Sequence, residues 1–171
     1  ADLVADSLDF FAVNGDLVSR IYDINETLHN AVDPVRKLVS NLPYMYIRGN
    51  HESRGHENYL LTDIFPMRED NGWYYTFRQG PVAFIVLDAG EDKPDDDVEY
   101  CELAEFDAYR AAELEWLKEA VKRPEVVSAP IKICLMHISR KFSRKFCKKI
   151  ACNSANSNNN TCMLNCIIRI I

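Results

Sequence analysis

Three short apolar runs, at residues 8–13, 44–47 and 131–136, each lead into polar residues able to bind a metal or a phosphate. The first leads into Asn14-Gly15-Asp16 and the second, through Arg48, into Gly49-Asn50-His51-Glu52. The third stops at His137. Short runs of β-branched, aromatic and leucine residues that end at a turn read as buried strands. In open α/β sheets the ligand site lies beyond the carboxyl ends of the strands. Three such ends therefore point to one oxygen- and nitrogen-lined site.

The pattern between these runs completes an α/β outline. Residues 1–7 read as the end of a helix, and 25–41 as a helical stretch. Within that stretch Asp33-Pro34 reads as a cap followed by a first-turn proline, with Val35, Leu38 and Val39 on the buried stripe. A polar loop covers 53–59. Residues 73–78 and 82–87, joined around Gln79-Gly80-Pro81, form an antiparallel hairpin that closes on Asp88-Ala89-Gly90. Residues 91–102 are acidic but lack the alternating ligands and central glycine of a calcium loop, which predicts a solvated surface loop. An amphipathic helix spans about 107–123, with Tyr109, Ala112, Trp116, Leu117, Ala120 and Val121 at helical spacing and Pro124 ending it. Strands alternating with helices predict an α/β protein with a largely parallel or mixed sheet.

Composition narrows the class. A chain of 171 residues suits one domain with a sizeable core, and 47% apolar with 27% charged residues is ordinary for a globular protein. No apolar stretch approaches the roughly 20 residues of a membrane span. No basic-then-apolar signal opens the chain at Ala1-Asp2-Leu3, and the compartment stays open. Residues 1–138 carry all 26 acids and a net charge of −13, whereas residues 139–171 carry no acid and a net of +7. The acidic body argues against a nucleic-acid binder, which needs a basic stripe. The tail, with its Asn/Ser run at 153–160, reads as a low-complexity segment outside the folded body. Its Cys147, Cys152, Cys162 and Cys166 miss the tight spacing of a zinc ribbon. Cys134, inside a strand, behaves as a small hydrophobe.

Gly15-Asp16 and Gly49-Asn50-His51-Glu52, some 35 residues apart, with His137 behind a third strand, resemble the calcineurin-like metallophosphoesterases. The resemblance covers residues 8–138. The run from Tyr109 to Leu117, Tyr-Arg-x-x-Glu-Leu-Glu-Trp-Leu, is also similar to the purple-acid-phosphatase-like branch. The fold so implied is an α/β sandwich of two mixed sheets flanked by helices. The implied activity is hydrolysis of phosphate esters, most simply monoesters, on a small phosphorylated substrate. The implied cofactors are two divalent metal ions (manganese, iron or zinc), about 3.5–4 Å apart, that turn water into hydroxide near neutral pH. By the same resemblance Asp16 bridges the metals, Asn50 and His137 bind the second metal, and His51 is a general acid beside them. Arg54 and His56, just beyond, are candidate substrate contacts, Glu52 is loop support, His29 is structural and Arg48 pairs internally. Taken singly, Asp16 also suits a turn or cap, Asn50-His51 an Asx turn, and His137 a hydrogen-bonded core position.

Two family motifs are absent. No Asp-x-His occurs in the chain, and residues 138–171 hold no histidine for a Gly-His-x-His. Position 19 is Ser rather than the Tyr of a ferric–tyrosinate centre. The expectation is a partial domain over 1–138, incomplete at both ends and therefore impaired as a hydrolase, followed by a tail such as a reading-frame change near 139 would produce. A catalytically inactive remnant serving as a binding or structural module is the alternative.

Overall fold

A computed structural model describes residues 8–138 apart from 39–41, 67 and 71. The expectations for residues 1–7, for Val39 and for the tail and its cysteines lie outside the described residues, as does the side chain of Leu38.

Among the described residues five strands form two sheets. β1 (Phe11–Asn14) pairs in parallel with β2 (Tyr44–Ile47), Asn14 opposite Ile47. β3 (Tyr75–Gln79) pairs antiparallel with β4 (Val82–Val86), and β4 pairs in parallel with β5 (Ile131–Leu135), Val86 opposite Leu135. The predicted hairpin is present. Its turn uses Gly80 at φ 54, a left-handed conformation that glycine adopts without a steric penalty.

Alternation along the strands sorts side chains into three packed layers. Ala12, Ile47, Tyr75, Phe77, Val86 and Leu135 meet between the sheets. On the outer face of the larger sheet, Ala83, Ile85 and Cys134 pack under α4 (Phe106–Ala120) through Trp116, Leu117 and Ala120. On the outer face of the smaller sheet, Val13 and Tyr46 pack against Leu61 and Phe65 of the segment carrying α3 (Leu61–Ile64), and against Ile24, Val32 and Val35. Tyr46 stacks on Phe65 at 3.9 Å between ring centroids. The result is the sandwich of two sheets flanked by helices. Parallel pairing brings the carboxyl ends of β1 and β2 together, and likewise those of β4 and β5.

Three local expectations need correction. Asp33 does not cap a helix. The N-cap is Asp23, whose carboxylate accepts from the N–H of Asn25 at 2.8 Å. From there α1 (Ile24–Thr27) runs through a π-helical stretch, Leu28–Val32, into α2 (Asp33–Leu38). Asp33 N–H reaches back to Leu28 C=O, and this wider turn just before Pro34 lets the helix continue past a ring that would otherwise break it. On α4 the inward position is Glu113, buried, and Ala112 is exposed. That helix ends at Ala120, and Pro124 opens the short α5 (Pro124–Val127) instead of closing α4. Finally, the acidic loop is not wholly solvated. Glu91 is completely buried, and the carboxylate of Asp95 caps α4 by accepting from the N–H of Phe106 at 2.9 Å and of Asp107 at 3.1 Å.

Candidate metal centre

Beyond Asn14 the chain turns left-handed for two residues, Gly15 (φ 65) and Asp16 (φ 54). Aspartate is among the few side chains that tolerate this region. The turn presses the first loop onto the second. A Cβ on Gly15 would lie 2.6 Å from Gly49 Cα and 2.7 Å from His137 Nδ1, and one on Gly49 would run into Asp16. Only glycine at both positions allows the two loops and His137 to meet.

The buried carboxylate of Glu52 fastens the loops. It accepts from the N–H of Asp16 at 2.9 Å, Leu17 at 2.5 Å and Gly49 at 3.0 Å, which is the loop-support role expected of it. Burial pushes its carboxyl above the ordinary range, and the N–H groups of Asp16 and Leu17 only partly oppose that.

With the loops fixed, Asp16 Oδ1 accepts from His51 N–H at 3.2 Å, and Asp16 Oδ2 lies 3.0 Å from His137 Nε2. His137 Nδ1 donates to Asn14 C=O at 2.6 Å. A carbonyl can only accept, so Nδ1 carries a proton, and Nε2 is the nitrogen turned to Asp16. A ring held this way by a backbone carbonyl is the usual setting of a metal-binding histidine.

Asn50 sits on the adjoining 3-10 turn and is buried. Its Nδ2 donates to Glu91 Oε1 at 2.9 Å, which leaves Oδ1 as the atom that could serve as a ligand. Glu91 also accepts from Asp92 N–H at 2.8 Å, from Arg54 Nη2 at 2.8 Å and Nε at 3.1 Å, and from the Tyr100 hydroxyl. Burial alone would raise the Glu91 carboxyl; the hydrogen bonds from Asp92, Tyr100 and Arg54 outweigh it and hold it well below the ordinary range.

The two candidate substrate contacts are placed differently from the candidate metal ligands. Arg54 is committed to Glu91 through two of its nitrogens and turns Nη1 to His51 Nε2 at 3.5 Å. His56 is exposed and stacks on Tyr22, ring centroids 5.9 Å apart. His29 is exposed and lies 3.8 Å from Asp33.

A second polar group lies beside the site, where β4 ends. Arg48 donates from Nε to Asp88 Oδ2 at 2.8 Å, and the Tyr109 hydroxyl donates to the same oxygen at 2.9 Å. Asp88 N–H donates to Glu113 at 2.6 Å. Burial, reinforced by the charge of Asp88 and opposed by that N–H, pushes the Glu113 carboxyl up to about 8. Arg48 thus pairs internally, as expected. Asp88, Glu91 and Glu113 carry no role in the sequence reading. The signal for the first was present: the apolar run 82–87 is a fourth strand that stops on a carboxylate.

Among the described residues no three His, Cys, Asp or Glu side chains group into a metal cage. A metal held by Asp16 and His137 would therefore need a donor of another kind, and the Asn50 amide oxygen on the second loop is the candidate. One carboxylate, one amide oxygen and one imidazole suit manganese, iron or zinc. The fixed His137 tautomer and the oriented Asn50 amide fit such an ion. This donor set serves a single metal position.

The described residues thus form a two-sheet α/β sandwich in which Asp16 and His137 meet beyond the strand ends. The sequence model of the calcineurin-like phosphoesterases matches residues 2–162, and the chain belongs to that family. Family members hydrolyse phosphate esters and generally bind two divalent metals. No curated protein matches the chain. Among the described residues no helix is long and apolar enough to cross a membrane.

Proposed function

We propose that this domain hydrolyses phosphomonoesters, with Asp16, Asn50 and His137 as metal ligands and His51 as general acid. The observation that carries the reading is the 3.0 Å approach of His137 Nε2 to Asp16 Oδ2, with His137 Nδ1 bonded to Asn14 C=O. A bound divalent ion polarises phosphate oxygens and acidifies water. His51 is held beside Asp16 through its own N–H, and from there its ring serves the leaving oxygen. Arg54 Nη1 adds positive charge at the same edge, and His56, further along the loop, reaches the outer part of a substrate.

The size of the donor set favours a second reading, in which the chain binds one ion and a phosphate group without efficient turnover. Manganese titration and aryl-phosphate turnover of the 171-residue chain separate the two. Both readings expect one Mn(II) per chain and none in Asp16→Ala. The first adds turnover that falls about 10²–10⁴-fold in His51→Ala with bound metal unchanged, the usual worth of general acid catalysis. The second gives background turnover. A chain that takes up no Mn(II) sinks both, and equal metal loss in the two variants refutes the division between ligand and acid.

A further inference from the structure

Glu91 has no place in the roles above, yet it has more partners than any other carboxylate near the site. An ionised carboxylate is acceptor-only, so every group facing it must present a hydrogen. For Arg54 and the Asp92 N–H that is the only possibility, and the Tyr100 hydroxyl turns its O–H to the carboxylate. For Asn50 it is a choice, because the two ends of an amide differ. Glu91 Oε1 takes the nitrogen, at 2.9 Å, and so turns the oxygen of Asn50 the other way. The same geometry explains why this position carries an amide: an aspartate in its place would set one carboxylate against another in a buried site.

We propose that Glu91 is the positioning residue of the metal centre: its buried carboxylate selects the amide orientation of Asn50 that offers Oδ1 as a ligand. The proposal rests on the metal-site reading above. Arg54 is part of the device. Its guanidinium neutralises Glu91, so that a buried anion can stand behind a neutral ligand, and both of its bonds to Glu91 fall within hydrogen-bond range, at 2.8 and 3.1 Å. The Tyr100 hydroxyl donates to the same oxygen and closes the side facing the acidic loop.

The inference reaches beyond a packing role because it predicts a reversal of polarity. In Glu91→Gln an NH2 replaces one acceptor, so Asn50 loses its fixed orientation. In Asn50→Asp two carboxylates face each other. In the double variant the introduced amide donates to the introduced carboxylate, and a ligand oxygen is again held in place.

The test is Mn(II) affinity of the full chain and these three variants, with thermal melting of each in the absence of metal. Glu91→Gln is expected to weaken Mn(II) binding about 10–100-fold, the usual cost of losing a partner of a metal ligand. The double variant is expected to bind at least about tenfold more tightly than Glu91→Gln, a non-additive recovery that loss of packing would not give. Unchanged affinity in a folded Glu91→Gln overturns the proposal, as does a double variant whose losses simply add. A parent chain that binds no Mn(II) overturns the metal-site reading itself, a distinct result. Should the variants fail to fold, side-chain amide exchange in the parent chain decides. The Asn50 NH2 is expected to be protected both without metal and with Zn(II), and rapid exchange without metal refutes the orientation by Glu91.

Discussion

Glu91 and Glu113 are both buried around the end of β4, and their surroundings are opposite. Glu91 receives a guanidinium, a phenol, an amide and a backbone N–H, and stays ionised far below the ordinary carboxylate range. Glu113 receives the N–H of Asp88, faces the Asp88 charge, and is pushed up to about 8. The first group holds Asn50 and Arg54, the side chains that the proposal above sets at the metal centre. The second ties α4 to the sheet through Asp88, Arg48 and Tyr109. Changes around Glu91 should move metal binding as well as stability, and changes around Glu113 stability alone.

Asp88→Ala is the most severe test of that division. It strips Arg48, whose side chain is 13% exposed, of its partner, and it removes the acceptor of Tyr109 and of the Gly90 N–H. Breaking a buried pair on one side costs about 3–5 kcal/mol. Urea unfolding should show that loss, with Mn(II) uptake per folded chain unchanged. If a folded Asp88→Ala no longer takes up metal, the two groups are one.

Gly15→Ala probes the other side. The left-handed backbone and the approach to Gly49 and His137 make a Cβ cost about 1–3 kcal/mol. Because the methyl group displaces His137 from the joint, Mn(II) uptake should fall to the level of Asp16→Ala. Uptake that survives would mean that the joint tolerates looser geometry.

A smaller effect distinguishes the buried acids by pH. The folded state holds the Glu113 proton between the ordinary carboxylate value of 4.5 and about 8, so it binds more protons than the unfolded chain and loses stability as pH rises through that window. Glu113→Gln lacks the titration while keeping an acceptor for the Asp88 N–H. Its melting temperature relative to the parent should climb from pH 4.5 to about 8 and level off above. A flat difference would show that Arg48 and Arg110 compensate the Glu113 charge.

The smallest change expected is from removing residues 139–171. Their lack of acids and their low complexity suggest that they add little to the body. The family match runs to residue 162, which makes the melting temperature of a chain ending at Ile138 worth measuring. A drop of several degrees would place part of that segment in the domain.

The strand ends were the most legible part of the sequence, because an apolar run that stops at Asn-Gly-Asp or Gly-Asn-His-Glu reports burial and chemistry together. The hairpin was legible for the same reason. Pro34 misled because a proline inside a helical pattern normally marks a boundary, and the π-turn that absorbs it leaves no compositional trace. Glu91 was hidden by its neighbours. In a run of acids, charge density predicts solvent, while burial depended on Arg54, 37 residues earlier. Glu113 lost its place to Ala112 because helical spacing ranks alanine as apolar, whereas a hydrogen bond to the Asp88 backbone decides which face turns inward. Partners distant in sequence, not local propensity, set these outcomes.

The bond from His137 to the carbonyl of Asn14 spans 123 residues. During synthesis Asn14, Asp16 and Asn50 leave the ribosome long before His137, so the joint is completed only after β5 has been made and both sheets have met. An ion that binds the finished joint favours that state over every earlier one by mass action. Divalent metal supply is then a term in how much of the chain reaches and keeps its folded form, and metal starvation during expression should appear first as lost yield.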